Sequence, residues 1–386
     1  MRSRIPMTMM HCPTFSSRLV IDLDAVRANY RAVREHASTS ECGAVVKADA
    51  YGLGARRVAS ALHREGCRTF FVAQLSEALD LLAALPSGGL IVVLNGLDPG
   101  GEDLCAEKGL VPVLNSLSQT ERWRATASRR NSILPACLQI ETGMSRLGLS
   151  AHDLRRMAED TSLAKHIDIR MIMSHLACAD EPSASANTQQ LRRFHELAAL
   201  FPAVPRSIAN SCGTILPSEF QLEIVRPGIA LYGVPLQSTC LGISPVVGLS
   251  ARVLQVRELE AGAGVGYGLT YRASEPRRVA TLGIGYADGW PRSLSNVGAA
   301  WHRDVRLPVV GRLSMDSMTV DISAIRPEVI QEGDLVDLIG PRQTLDDVAA
   351  DAGTIPYEIL TRLGTRHARV YIEDGVTTTL LPGEAR

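Results

Sequence analysis

A (β/α)8 barrel of the TIM type, followed by a mostly β C-terminal domain, is the fold class that this sequence predicts. Three observations point to it. Short apolar runs end near Val46, Val72, Leu94, Leu114, Ile140, Met173, Ala209 and Val225, and such runs read as buried strands. Amphipathic helical stretches separate most of them, at residues 55–65, 76–85, 118–129, 151–159 and 188–200. After about Pro245 the rhythm changes to glycine-punctuated, alternating segments at 249–257, 278–285, 307–311, 318–322, 334–340 and 370–374, which read as antiparallel strands. An open doubly wound sheet is the competing arrangement, but no Gly-x-Gly-x-x-Gly follows an early strand.

Residues 1–17 mix Arg, Pro, Met and Ser without a continuous apolar run, as expected of a disordered leader and not of a secretory signal; Met7, Met9 and Met10 are alternative starts. Residues 18–245 are assigned to the barrel, with the first strand, 18–23, able to pack on the second domain instead. Asp24 is placed to cap the helix that runs through Arg27, Tyr30 and Val33. Gly66 stands where a helix ends in a left-handed residue. Residues 246–386 form the second domain. There Thr344 and Asp347 have capping-box spacing, and Pro356 opens a helix that stops before Gly364.

Composition excludes several classes of partner. The net charge of −1 and a pI near 6.8 leave no basic surface for nucleic acid or anionic membrane. No apolar run is long enough to span a bilayer. Eight scattered cysteines without a Cys-x-x-Cys pair, in a chain this long, fit reduced thiols in a cytoplasmic protein better than a disulfide framework or a metal centre.

The chemistry starts at Ala44-Val-Val-Lys-Ala-Asp-Ala-Tyr-Gly-Leu-Gly-Ala55. A β-branched run ends in Lys47 and breaks into a loop with two glycines. A lysine at a buried strand end is desolvated, which disfavours its charged form and frees a nucleophilic amine. Lys47 is one of three lysines; Lys108 and Lys165 sit in sequences that read as solvated helix ends. A snorkelling lysine at a strand end is the plain alternative.

The twelve residues resemble the pyridoxal-phosphate lysine motif of alanine racemases. The resemblance implies that Lys47 holds pyridoxal 5′-phosphate as a Schiff base and that Tyr51 reaches its phosphate. Leu138-Gln-Ile-Glu-Thr-Gly-Met-Ser-Arg-Leu-Gly148 is similar to the family loop whose arginine, here Arg146, contacts the cofactor and the substrate carboxylate. An arginine suits this because its planar donors bind a carboxylate two-pronged. Gln139 departs from the pattern: many members carry a carbamylated lysine there. Glutamine supplies no charge, though its carbonyl can accept from Arg146.

His175 follows a strand candidate, and the resemblance assigns it to cofactor support. Ser211, Gly228 and Ile229 suit a phosphate site built from a hydroxyl and backbone N–H groups near the last barrel strands. The block Val225-Arg-Pro-Gly-Ile-Ala-Leu-Tyr-Gly233 resembles the family segment whose arginine, Arg226, faces the pyridine nitrogen. A permanently protonated arginine donates to that nitrogen without protonating it, which weakens the ring as an electron sink and favours reprotonation over transamination.

In the β-rich domain, Gly264-Val-Gly-Tyr-Gly-Leu-Thr270 resembles the catalytic-tyrosine segment, so Tyr267 is expected to act with Lys47 on opposite faces of the substrate. Tyrosine ionises near pH 10 when free, so a nearby cation such as Arg146 is needed. By the same resemblance, Met315 offers a backbone N–H to the substrate carboxylate and Tyr357 is a second phosphate ligand. The family resemblance further implies a head-to-tail homodimer with shared active sites. The implied function is cytoplasmic alanine racemisation. A racemase for serine or for a larger or basic amino acid is the first alternative, and a non-catalytic cofactor-carrying regulatory protein the more distant one.

Overall fold

The computed structural model describes residues 15–85, 88–236 and 241–382. The chain divides into two compact units: Leu23–Val246, and the residues before Leu23 together with those from Val247 onward.

The first unit is the barrel. Ala44–Val45, Thr69–Val72, Leu90–Val93, Val111–Leu114, Leu134–Gln139, Ile167–Met173 and Arg206–Ser207 form a parallel sheet in sequence order. Their ends lie within two residues of the expected positions. The eighth strand, Ile224–Val225, runs parallel to Glu41–Cys42, which precedes Ala44–Val45 across Gly43. The Gly43 N–H donates to the Val225 carbonyl (3.0 Å), Val45 N–H to Pro227 (2.9 Å) and Arg226 N–H to Ala209 (2.9 Å). These bonds close the ring. Gly43 permits it, because a β-carbon there would stand 2.7 Å from the Phe71 ring.

Helices cover the strands where the 3.6-residue period placed them. Ala55–Arg64 buries Val58, Ala59, Ala61 and Leu62 on one stripe. It ends as expected at Gly66 (φ +99°), with Gly66 N–H bonded to His63 O (3.1 Å) and Cys67 N–H to Leu62 O (3.0 Å). This pair of bonds is a Schellman stop. Asp24, expected as the cap, lies in the first turn of Leu23–His36, where its carboxylate pairs with the Arg27 guanidinium at 2.6 Å.

In the second unit the central strand is Val247–Leu259, thirteen residues long. Ser17–Asp22 pairs antiparallel with it and parallel with Ala368–Glu373. The first strand therefore belongs to this sheet. Residues 1–14 of the expected leader lie outside the described residues, but its last three are ordered. Ser17 pairs with Ala251, the Ser16 carbonyl accepts from Arg252 N–H (2.7 Å), and the Arg252 guanidinium lies over the Phe15 ring at 5.3 Å. The Thr344–Asp347 capping box opens helix Leu345–Ala352, and Pro356 stands first in Pro356–Arg362. No helix among the described residues is long and apolar enough to cross a membrane.

Candidate active site

Lys47 follows the first barrel strand at its C-terminal end, the face where barrel chemistry is built. Beyond it the chain does something the sequence did not announce. Ala48, Asp49, Ala50 and Tyr51 have φ of 52°, 54°, 53° and 57°, and Gly52 and Gly54 continue at 85° and 94°. The expected loop is a left-handed helical turn. Each non-glycine residue there costs roughly 1–2 kcal/mol of steric strain. Local bonds oppose that cost: Ala50 N–H to Val46 O (2.9 Å), Gly54 N–H to Asp49 O (2.9 Å), and Ala55 N–H to Asp49 Oδ1 (2.7 Å). Tyr51, buried, packs on Tyr232 with ring centroids 4.6 Å apart, and the Tyr232 hydroxyl donates to Val45 O at 2.7 Å.

The turn aims Tyr51 at the last barrel loops. A β-carbon on Gly228 would collide with the Tyr51 hydroxyl oxygen, so only glycine leaves room there. The buried Ser211 Oγ accepts from Gly228 N–H (2.8 Å) and Ala230 N–H (3.3 Å). Ile229 opens the short helical turn Ile229–Tyr232, and its N–H has no acceptor among the described residues. A hydroxyl, a phenol and aligned N–H groups thus converge on one cradle of the kind that suits a phosphate.

Arg226 is 3% exposed. Its guanidinium donates to Ser207 Oγ and to Ser174 O (2.7 Å), and no carboxylate pairs with it among the described residues. Burial lowers its pKa to about 10, with Cys137 opposing the shift. An unpaired buried cation costs several kcal/mol, so the position suits an acceptor supplied by a ligand. Lys47 is half-buried, and its pKa is lowered by burial first and by Arg146 next; Glu77 raises it and Arg226 lowers it further. His175 is pushed down to about 3, by burial and then by the charges of Arg226, Arg146 and Lys47. It is a neutral imidazole here.

That neutrality has a cost in acid. An unfolded histidine takes its proton near pH 6.5, whereas folded His175 resists protonation down to about pH 3. Between these values the unfolded chain binds the extra proton, so stability falls as pH falls. The apoprotein should melt at a lower temperature at pH 4.5 than at pH 7, and His175→Gln should lose less over the same interval. An equal loss in both proteins would remove His175 from this account.

Arg146 is exposed on a loop closed by the Ile140–Leu149 bridge. The Glu141 carboxylate accepts from Gly143 N–H and from Ser145 N–H (2.8 Å) and so shapes the loop. Gln139 is 7% exposed and donates from Nε2 to Leu147 O at 3.1 Å. It therefore braces the backbone next to Arg146, where a bond accepted from the Arg146 side chain was expected. Gln190 reaches in from helix Ser185–Ala198, accepting from Ala177 N–H (2.8 Å) and donating to His175 O (2.9 Å) and Thr142 Oγ1 (3.2 Å). It ties the Arg146 loop to the His175 loop. Sequence reasoning missed Gln190, Ser174, Ser207 and Glu77. A polar residue among Leu191, Phe194 and Leu197 on a buried helix face was the available signal for Gln190.

The remaining expected residues lie in the second unit. Tyr267 is at the tip of the hairpin formed by Gly264–Val265 and Tyr271–Arg272, and is 71% exposed. Its turn sits on the Arg312 segment: β-carbons at Gly266 and Gly268 would meet Arg312 at 3.0 Å. Met315 is 54% exposed, and its carbonyl accepts from Ala287 N–H at 2.9 Å. Tyr357 lies on Pro356–Arg362. Lys108 and Lys165 are exposed at helix ends, as expected.

Two family models cover the chain: the alanine racemase N-terminal domain over residues 21–235 and the alanine racemase C-terminal domain over 246–371. The chain belongs to the alanine racemase family. It is 51% identical over 368 residues to an alanine racemase of Brucella ovis, covering 92% of this chain and 93% of that one. It is 50% identical over 363 residues to a catabolic alanine racemase of Agrobacterium fabrum, covering 94% of each. Among solved structures, the alanine racemase of Bartonella henselae with covalently bound pyridoxal phosphate matches with a TM-score of 0.89 and 45% identity, over 92% of this chain and 99% of that one. The alanine racemase from Streptomyces coelicolor A3(2) matches at 0.89 and 34%, over 94% and 99%.

Proposed function

We propose that this chain interconverts L-alanine and D-alanine with pyridoxal 5′-phosphate held on Lys47. The single observation that carries this reading is the cationic cluster of Lys47, Arg146 and buried Arg226 around a neutral His175, with Arg226 lacking any carboxylate among the described residues. An anionic ring cofactor complements it. The residues present fit: Tyr51, Ser211, Gly228 and Ile229 would hold the phosphate, Arg226 the ring nitrogen, and His175 a ring face, with Tyr357 a further phosphate ligand.

When bound, pyridoxal phosphate supplies the electron withdrawal that acidifies the substrate Cα–H. The chain supplies the rest. Arg146 and the Met315 N–H bind the substrate carboxylate, which fixes the Cα–H bond relative to the bases. The Lys47 amine moves the proton on one face, and burial beside Arg146 and Arg226 lowers its pKa, which favours the neutral, proton-accepting form. The Tyr267 hydroxyl moves the proton on the other face. Tyr267 and Met315 come from a second copy of the chain in this reading, in a head-to-tail homodimer.

Borohydride reduction of the purified protein, followed by peptide mapping, should place a pyridoxyl group on Lys47. A chiral assay should drive either alanine enantiomer to an equal mixture. An adduct on Lys108 or Lys165, or turnover of serine but not alanine, would overturn the assignment.

A further inference from the structure

We propose that Glu77 is the positioning residue of Lys47: its carboxylate ties the left-handed turn that begins at Ala48 to the loop after the neighbouring strand, fixing the peptide from which the lysine arm extends. This rests on the reading of Lys47 as the cofactor lysine. Glu77 is the third residue of helix Leu75–Leu82, where a carboxylate caps the helix in the ordinary way. One oxygen does this, accepting from Gln74 N–H (3.1 Å) and Ala73 N–H (2.6 Å).

The other oxygen is not used by the helix. It accepts from Ala48 N–H at 2.7 Å, a residue 29 positions earlier and on the adjacent strand's end. The backbones of these strands are already joined one step below, by Val46 N–H to Phe71 O (2.8 Å). The carboxylate continues that ladder past the point where the left-handed turn leaves it. Ala48 is the first residue of the turn with positive φ, and its N–H belongs to the peptide following Lys47. A bond there holds the Lys47 Cα against rotation about the one peptide that precedes the strained segment. Long lysine arms multiply small backbone rotations, and loss of alignment at the reacting atom lowers rate steeply.

Three substitutions separate this role from simple capping. Glu77→Asp keeps a charged cap but is one methylene too short to reach Ala48. Glu77→Gln presents an N–H2 to one of its N–H partners. Asp347→Ala removes the acceptor of a like capping box, on helix Leu345–Ala352, as the control for lost capping alone. Hydrogen exchange of the apoprotein at residues 48–54 should speed up about tenfold in both Glu77 variants and not in Asp347→Ala, since charge-assisted bonds carry energies of that order. Pyridoxal phosphate titrations should show about tenfold weaker binding. The kcat for alanine should fall by a similar factor, with KM changed less than about threefold. Unchanged exchange and cofactor binding in Glu77→Asp and Glu77→Gln would reduce Glu77 to a helix cap. Wild-type protein that takes no cofactor on Lys47 would instead overturn the reading of the site, while the exchange experiment would still decide whether Glu77 holds the turn.

Discussion

Lys47→Ala is expected to abolish racemisation, with kcat/KM down by about 10⁴ or more. In the proposed reading the lysine carries two separate duties, attachment of the cofactor and proton movement on one face. A positioned acid–base group alone contributes about 10²–10⁴. No other amine can substitute, because Lys108 and Lys165 are exposed at helix ends. The fold should survive. Lys47 is half-buried, its charge is disfavoured there, and truncation removes an electrostatic cost along with the side chain. The cradle of Tyr51, Ser211 and Gly228 should still take pyridoxal phosphate, though more weakly and reversibly. The check is a turnover assay beside a melting curve and a dialysis of the loaded protein. Activity above about one per cent of wild type would show that another group takes the proton, since acid–base contributions start near 10².

Tyr267→Phe should lower racemisation by about 10²–10⁴, and by the same factor in both directions. The equality is thermodynamic. The two enantiomers have equal free energy, so the ratio of kcat/KM values is fixed at one for any variant. Solvent-deuterium exchange need not obey this symmetry. One enantiomer can still exchange its Cα proton through Lys47 while inversion is blocked. Tyr267 is exposed at a hairpin tip, so the change should leave melting behaviour unaltered. If sites are shared between subunits, mixing inactive Lys47→Ala and Tyr267→Ala proteins should restore some activity, because one site of each mixed dimer is intact. Near-normal rates for Tyr267→Phe would refute the two-base assignment; no recovery in mixtures with proven subunit exchange would refute the shared site.

Much of this architecture is written in short-range pattern. Continuous apolar runs placed the ends of the barrel strands to within two residues, the 3.6-residue period placed the helices between them, and Gly66 marked a left-handed helix stop that the structure shows. What the sequence hid is non-local or sterically disfavoured. Nothing in Ala48, Ala50 or Tyr51 favours positive φ; only Gly52, Gly54 and the tolerant Asp49 hint at it. The Glu77–Ala48 bond spans 29 positions, and the neutral partners of Arg226 come from other strands. Such pairings leave no periodic trace. Residues 18–23 read correctly as a strand, but strand propensity carries no information about which neighbour will pair with it.

The strand Ser17–Asp22 also dictates an order of events during synthesis. Its neighbours, Val247–Leu259 and Ala368–Glu373, are made long after it. At 5–20 residues per second, the roughly 220 intervening residues take about 10–45 s to emerge. Throughout that time the strand's N–H and C=O groups have no native partners, while the barrel segment can fold on the ribosome as one uninterrupted piece. An unpaired apolar strand is an invitation to wrong pairing. The barrel is thus an insertion within the β-rich unit, and the late-made strand Ala368–Glu373 must reach back to close a sheet whose first member left the ribosome before any barrel strand.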